Sequence, residues 1–163
     1  MTDHDSNHEI KEKFWKSMVQ SPMVMLQLDA DPDSAAPMTA QLDKDGHGNI
    51  WFYTSRSGRF ARGGPATATY ASKSHDLFAR FHGVLIEETS RERLEKHWSN
   101  FVEAWFPGGK DDPDLIMLRM DLGDASIWDS DLGPVTTVKM MLGMDVREES
   151  QGYHRETRLD QAN

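Results

Sequence analysis

The residues best placed to do chemistry lie between positions 54 and 82. Thr54-Ser-Arg56-Ser-Gly-Arg59-Phe-Ala-Arg62-Gly-Gly sets hydroxyls and three arginines directly behind an apolar run. A turn of this kind offers backbone N–H groups, hydroxyls and forked guanidiniums to one dianion. A second cationic cluster follows at Lys73-Ser-His75, with Arg80 and His82 close behind. The plainer reading of both clusters is solvated surface with exposed ion pairs, which contribute little. Spacing alone leaves both readings of the first cluster open.

Other chemistries fit less well. Asp43-Lys-Asp45-Gly-His47-Gly-Asn-Ile50 has the look of a calcium loop, but the twelfth position, where an EF-hand needs a bidentate Glu, is Thr54. His47 stands where an oxygen ligand belongs, and strand-like runs flank the loop, so a hairpin turn is expected. Pro107-Gly-Gly-Lys110-Asp shares only a Gly-Lys pair with a phosphate-binding P-loop. Seven histidines include no His-Glu-x-x-His, and His75 and His82 need not face each other. No Gly-x-Ser-x-Gly elbow and no cysteine is present to serve as a nucleophile. Of five tryptophans, Trp105 is set apart by its place at a Pro-Gly-Gly break, where a ring can cover a pocket.

Several elements must position these groups. A helix is expected from near Ser6, with Glu9 completing a capping box, and Pro22 stops it. Five β-rich runs follow: Met23–Leu28, Met38–Leu42, Ile50–Thr54, Ala66–Ala71 and Leu77–Ile86. Gly83 marks a bend or bulge in the last of them. One amphipathic helix is expected after Thr89, capped by Thr89 with Glu92, with Leu94, His97, Trp98, Phe101, Val102 and Trp105 on a single face. Leu115–Met120 and Ala125–Trp128 read as a further, bent strand, and Thr136–Leu142 as a short helix. Short strands at near-regular intervals predict an antiparallel barrel or sandwich. The polar ends predict a mobile tail over 1–8, one domain over 9–144 and a disordered tail over 145–163. A net charge of −9 argues against nucleic acid as partner, and no apolar run suits a membrane helix or signal peptide. The absence of cysteine fits the cytoplasm.

Four segments in this order resemble one family. They are Pro37-Met-Thr-Ala-Gln-Leu-Asp43, Ile50-Trp-Phe-Tyr-Thr-Ser55, Ala71-Ser-Lys-Ser-His-Asp-Leu-Phe-Ala79 with His82-Gly83, and Trp105-Phe-Pro-Gly-Gly-Lys-Asp-Asp-Pro113 with Ile127-Trp128. From about Phe14 to Gly143 the chain is similar to the general stress protein branch of the pyridoxamine 5′-phosphate oxidase-like flavoproteins. The resemblance implies a mainly β, α+β fold, a six-stranded antiparallel split β-barrel, in a homodimer carrying FMN at its interface. It implies that Met38, Thr39, Ala40 and Gln41 run beside the flavin ring and offer it backbone groups. Tyr53, Thr54 and Ser55 then continue that wall, and Arg59, with Arg62 or Arg56, takes the phosphate. Trp105 and Lys110 belong at the pocket mouth, from the same or the partner subunit. Lys73 is the cation expected near the ring's N1 and C2 carbonyl. Where the vitamin-forming oxidases have an Arg and a Lys, this sequence has Met38 and Asp43, and their basic C-terminal segment has no counterpart. The oxidase reaction itself is therefore not expected. A flavin-dependent oxidoreductase on a small substrate is the leading expectation. A non-catalytic flavin-binding stress protein and a cofactor-free binder of small anions are the alternatives.

Overall fold

In a computed structural model the described residues are 3–44, 48–130, 138–145, 147 and 154–160. Period-two patterning builds most of them into strands. In β1 (Met23–Leu28) Val24, Leu26 and Leu28 are buried, while Met23 and Met25 point outward. β2 (Asp31–Thr39), β3 (Ile50–Ser55), β4 (Gly64–Ala71) and β5 (Leu77–Glu87) follow. β6 (Leu115–Asp129) and β7 (His154–Arg158) complete one antiparallel sheet. Its order is β2-β1-β4-β5-β6-β3, with β7 pairing the far half of β6. Helix α1 (Asp3–Gln20) packs its Phe14, Trp15 and Met18 on the inner face, where Phe14 meets Tyr70 and Phe81 edge-on.

The expected six strands become seven, and the barrel does not close. Gln41 and Trp51 form one isolated antiparallel bridge between the end of β2 and β3, with N–H···O distances of 2.7 and 3.0 Å. Among the described residues no ladder extends that bridge, so the edges of β2 and β3 stay unpaired beyond it, which splits the barrel.

Several sequence expectations are corrected. Helix α1 begins at Asp3, so Ser6 lies inside it and residues 3–8 are no tail. The second strand is β2, not Met38–Leu42, because the β1 partnership runs back to Leu28↔Asp31. Its Pro37 is tolerated because β2 is an edge strand. The single long helix is two short ones, α2 (Arg91–His97) and α3 (Asn100–Glu103). Ser90 caps the first, accepting from Arg93 N–H, and Ser99 caps the second, accepting from Val102 N–H. The break at Trp98–Ser99 destroys the common face, leaving Phe101 and Trp105 exposed. The tail over 145–163 is not wholly disordered either. β7 satisfies the edge of β6 that β3 leaves free, and Leu159 beyond it is buried in the core. Of Thr136–Leu142, residues 136 and 137 lie outside the described residues, and 138–141 are helical. Gly83 sits at a register shift between β5 and β6, as its place in the run predicted. A Cβ there would meet Asp121 O at 2.6 Å, closer than any side chain tolerates.

Candidate functional site

The arginine cluster and Asp43 lie at the two ends of β3. At its far end the chain turns through Ser55–Gly63 into β4, and the three arginines of that turn diverge. Arg56 is held by Glu87 at 2.8 Å and Arg62 lies 3.4 Å from Asp31. Arg59 has no carboxylate partner among the described residues; its Nη1 donates one long bond, 3.4 Å, to Ser34 O. Phe60, between them, is buried and anchors the turn in the core. The turn's other donors are taken by a residue that the sequence reading missed. Asp114 accepts from the Ser55 hydroxyl and from Ser57 N–H at 3.0 Å. Those hydrogen bonds, the one from Ser55 foremost, hold its carboxyl below the ordinary aspartate range. The only sequence signal was Asp112-Pro-Asp114 after a Gly-Gly break, a turn signature in which Asp112 Oδ1 accepts from Asp114 N–H. One carboxylate thus fills the place that spacing offered to a dianion, and Arg59 alone stays open.

The opposite border of the split is the edge of β2. Met38 points inward against the core and Thr39 outward, its hydroxyl 3.1 Å from Met23 Sδ. Ala40 is buried with its N–H on Pro22 O at 2.7 Å, and Gln41 spends its N–H and C=O on Trp51. The backbone groups expected to meet a flavin ring are therefore committed at Ala40 and Gln41. Only Met38 and Thr39 lie on the unlinked edge. From Ser34, beside Arg59, to Thr39 is five residues, about 17 Å of extended strand.

The remaining candidates are dispersed. Tyr53 faces α2 and α3, donates its hydroxyl to Leu94 O and meets Trp98 edge-on at 5.7 Å. Burial there pushes its phenol well above the ordinary tyrosine value. Thr54 is half-buried. Lys73 is exposed on the β4–β5 turn, without a partner among the described residues, at the end of the sheet that holds Thr39. Lys110 lies in a 3-10 turn, Gly109–Asp111, on the rim of a cleft of about 310 Å³ that also takes in Arg56, Arg91 and Leu94. That cleft includes none of Met38–Gln41.

At the near end of β3 the charges form a closed set. Asp43 accepts from Arg93 at 2.7 Å and from Lys96 at 2.8 Å, and His97 Nε2 lies 3.5 Å away. Burial by itself raises the Asp43 carboxyl, but the Lys96 hydrogen bond and the charges of Arg93, Lys96 and His97 outweigh it, so the net shift is downward. The His97 ring stacks on Trp51 at 5.3 Å, Arg93 lies 4.3 Å from the Trp51 ring centroid, and Trp51 Nε1 donates to Glu88. Asp45, Gly46 and His47 of the calcium-like loop lie outside the described residues.

A planar anionic cofactor such as a flavin fits this arrangement in two respects. One open guanidinium stands at one end of the split, and unlinked strand edges lead from it toward exposed apolar side chains.

Comparison with known proteins agrees with the fold. The general stress FMN/FAD binding protein of Xanthomonas citri is 42% identical with a TM-score of 0.69, over 75% of this chain and 89% of that one. A general stress family protein of Xanthomonas campestris pv. campestris is 40% identical, TM-score 0.65, over 74% of this chain and 88% of the other. General stress protein 26 of Jannaschia sp. CCS1, at 24% identity, supports the fold alone, with a TM-score of 0.73 over 94% and 98% of the two chains. No curated protein matches. A family model described as pyridoxamine 5′-phosphate oxidase like matches residues 9–151, so the chain belongs to the pyridoxamine 5′-phosphate oxidase-like family and carries its split-barrel fold.

Proposed function

We propose that this protein binds FMN as a cytoplasmic homodimer of the general stress type and acts as a flavin-dependent oxidoreductase on a small substrate. The observation that carries the reading is Arg59, a guanidinium without a carboxylate partner among the described residues, at the mouth of the split between β2 and β3. The flavin-binding relative from Xanthomonas citri supports the same ligand class.

In this reading Arg59 donates to the phosphate, and Arg62 adds positive charge from beside Asp31. Thr39 and the Met38 backbone border the ring, with Lys73 at that end of the sheet. Thr54 and Ser55 close the opposite wall, and Trp105 and Lys110 cover the mouth from a second subunit. The bound flavin supplies the electron chemistry itself. The protein's part is to grip the phosphate, orient the ring and exclude water from it.

Binding is tested by titrating protein freed of bound flavin with FMN and with riboflavin, followed by flavin fluorescence. Charge-assisted contacts to the phosphate predict FMN binding tighter by roughly ten- to a hundred-fold. Equal affinities would remove the phosphate grip from this turn, and binding of neither would overturn the flavin reading. Anaerobic reduction of the bound flavin by a nicotinamide cofactor tests the oxidoreductase assignment.

A further inference from the structure

The cleft at the far end of β3 is not used by the flavin reading: neither Arg59 nor any of Met38–Gln41 lines it. Its volume of about 310 Å³ is at the lower end of what small-molecule sites occupy. The end of β5 with Thr89 and Ser90, the start of α2, the start of β6 and the turn that holds Lys110 all contribute to it. Part of the lining is apolar, with Leu94 from α2 and Leu115, Ile116 and Met117 from β6. Such a surface gains by taking an apolar body out of water.

The charges of the lining are compensated one by one until a single cation remains. Glu87 holds Arg56 at 2.8 Å, and Glu88 accepts from Trp51 and lies 3.4 Å from Arg119. Arg91 pairs with Asp111 at 3.1 Å and Glu95 at 3.3 Å. Lys110 is half-buried and has no ion pair among the described residues. The acids next to it in sequence are already committed. Asp111 belongs to Arg91, and Asp112 accepts from the N–H groups of Gly108 and Asp114. An ammonium that has given up part of its hydration without gaining a carboxylate is stabilised by an anion from outside the chain. The Thr89 hydroxyl on the same cleft is exposed and has no hydrogen-bond partner among the described residues.

We propose that this cleft binds a small organic monoanion, a carboxylate carried on an apolar body, with Lys110 as its counter-ion and Thr89 as a further donor. One uncompensated cation matches one negative charge, and the Glu87 carboxylate on the same lining opposes a second. The apolar lining selects the body and the small volume limits it. The inference goes beyond the flavin reading and does not need it.

Fluorine NMR titration of the full chain, saturated with FMN, with para-fluorobenzoate as the probe tests the proposal. Saturable binding is expected for para-fluorobenzoate and none for para-fluorobenzamide, which keeps the ring and loses the charge. Lys110→Gln is expected to raise the probe's dissociation constant by roughly ten-fold, the loss typical of one charge-assisted contact, and Lys110→Arg to restore it. Lys16→Gln, an exposed change on α1, is the control for overall charge and leaves the dissociation constant unchanged. Thermal melts show that the variants are folded. Absence of saturable binding, or equal binding of the amide, would overturn the inference. So would equal weakening by Lys110→Gln and Lys16→Gln, or displacement of the probe by inorganic phosphate at lower concentration than by unlabelled benzoate. Binding that occurs only in flavin-free protein and is displaced by FMN would put the probe in the flavin site, overturning this inference and leaving the flavin reading intact. Failure of FMN itself to bind would overturn the flavin reading, and probe binding that depends on Lys110 would still uphold this one.

Discussion

The two ends of β3 are built from the same residue types and come to opposite electrostatic outcomes. At the near end Arg93 and Lys96 converge on Asp43 with the His97 ring beside them, and Glu88 meets Trp51 and Arg119, so each of these cations has its carboxylate. At the far end Glu87 and Asp31 take Arg56 and Arg62, Asp114 takes the turn's hydroxyl and N–H donors, and Arg59 is left without a carboxylate among the described residues. The first arrangement can fasten α2 to the barrel but has nothing to offer a ligand. The second is a turn already satisfied internally except for one cation. Whether an arginine is structural or available is decided by the count of acids within reach, and not by the arginine.

If that contrast is right, changes at the near end cost stability and changes at the far end cost binding. The largest effect is expected for Asp43→Ala, which strips the shared partner from the half-buried Arg93, the exposed Lys96 and a half-buried histidine. A loss of about 2–4 kcal/mol is expected, read as a drop of roughly 6–12 °C in the melting temperature. A melting temperature within about 2 °C of the wild type would break the comparison at its structural end.

Arg59→Ala is the counterpart. It should weaken FMN binding by roughly ten- to a hundred-fold, equivalent to ~1.5–3 kcal/mol, leave riboflavin affinity nearly unchanged and barely move the melting temperature. Equal losses for both ligands would make Arg59 a support for the fold. Asp114→Asn sharpens the same end from the other side. With the carboxylate gone, the Ser55 hydroxyl and Ser57 N–H keep only a neutral acceptor, so FMN affinity should rise, measured by the same titration. A fall would show that Asp114 shapes the turn for the phosphate.

A smaller effect is expected from pH at the near end. Burial first, then the charges of Arg93 and Lys96, push the His97 imidazole below the ordinary histidine value, against the pull of Asp43. The unfolded chain then holds its proton more tightly than the folded one. The contribution of neutral His97 is full above the ordinary histidine value of about 6.5 and is lost as pH falls below it toward the folded value. His97→Gln should flatten that part of the stability curve, measured by urea unfolding between pH 5 and about 7.5. An unchanged slope would remove His97 from the closed set. Smallest of all, Asp45→Asn should leave the melting temperature insensitive to calcium or chelator, as expected of a plain turn.

Much of the barrel was legible because period-two burial is written residue by residue. Val24, Leu26 and Leu28 announce β1, and Gly83 announces the bulge at which β5 shifts register. The break between α2 and α3 was not legible, because Leu94, Val102 and Trp105 keep helical spacing across it. Two serine caps decided the matter locally. Strand β7 was hidden for a different reason. His154-Arg-Glu-Thr-Arg158 has no apolar face of its own and is a strand because β6 presents a free edge to it.

The same division runs through the candidate site. The sequence by itself determined the fold family, the cluster of arginines behind β3 and the aromatic at the Pro-Gly-Gly break, since each is a matter of residue type and local spacing. Only the tertiary structure decided which arginine stays open, that Tyr53 turns to α2, that Asp114 fills the turn, and that Phe101 and Trp105 stand exposed. Those outcomes depend on partners far away in sequence: Asp114 is 57 residues from Ser57, and Asp43 is 50 from Arg93. Charge pairing acts over a few ångströms of space. Sequence spacing carries that information along one helix or strand, and folding brings the distant partners within reach.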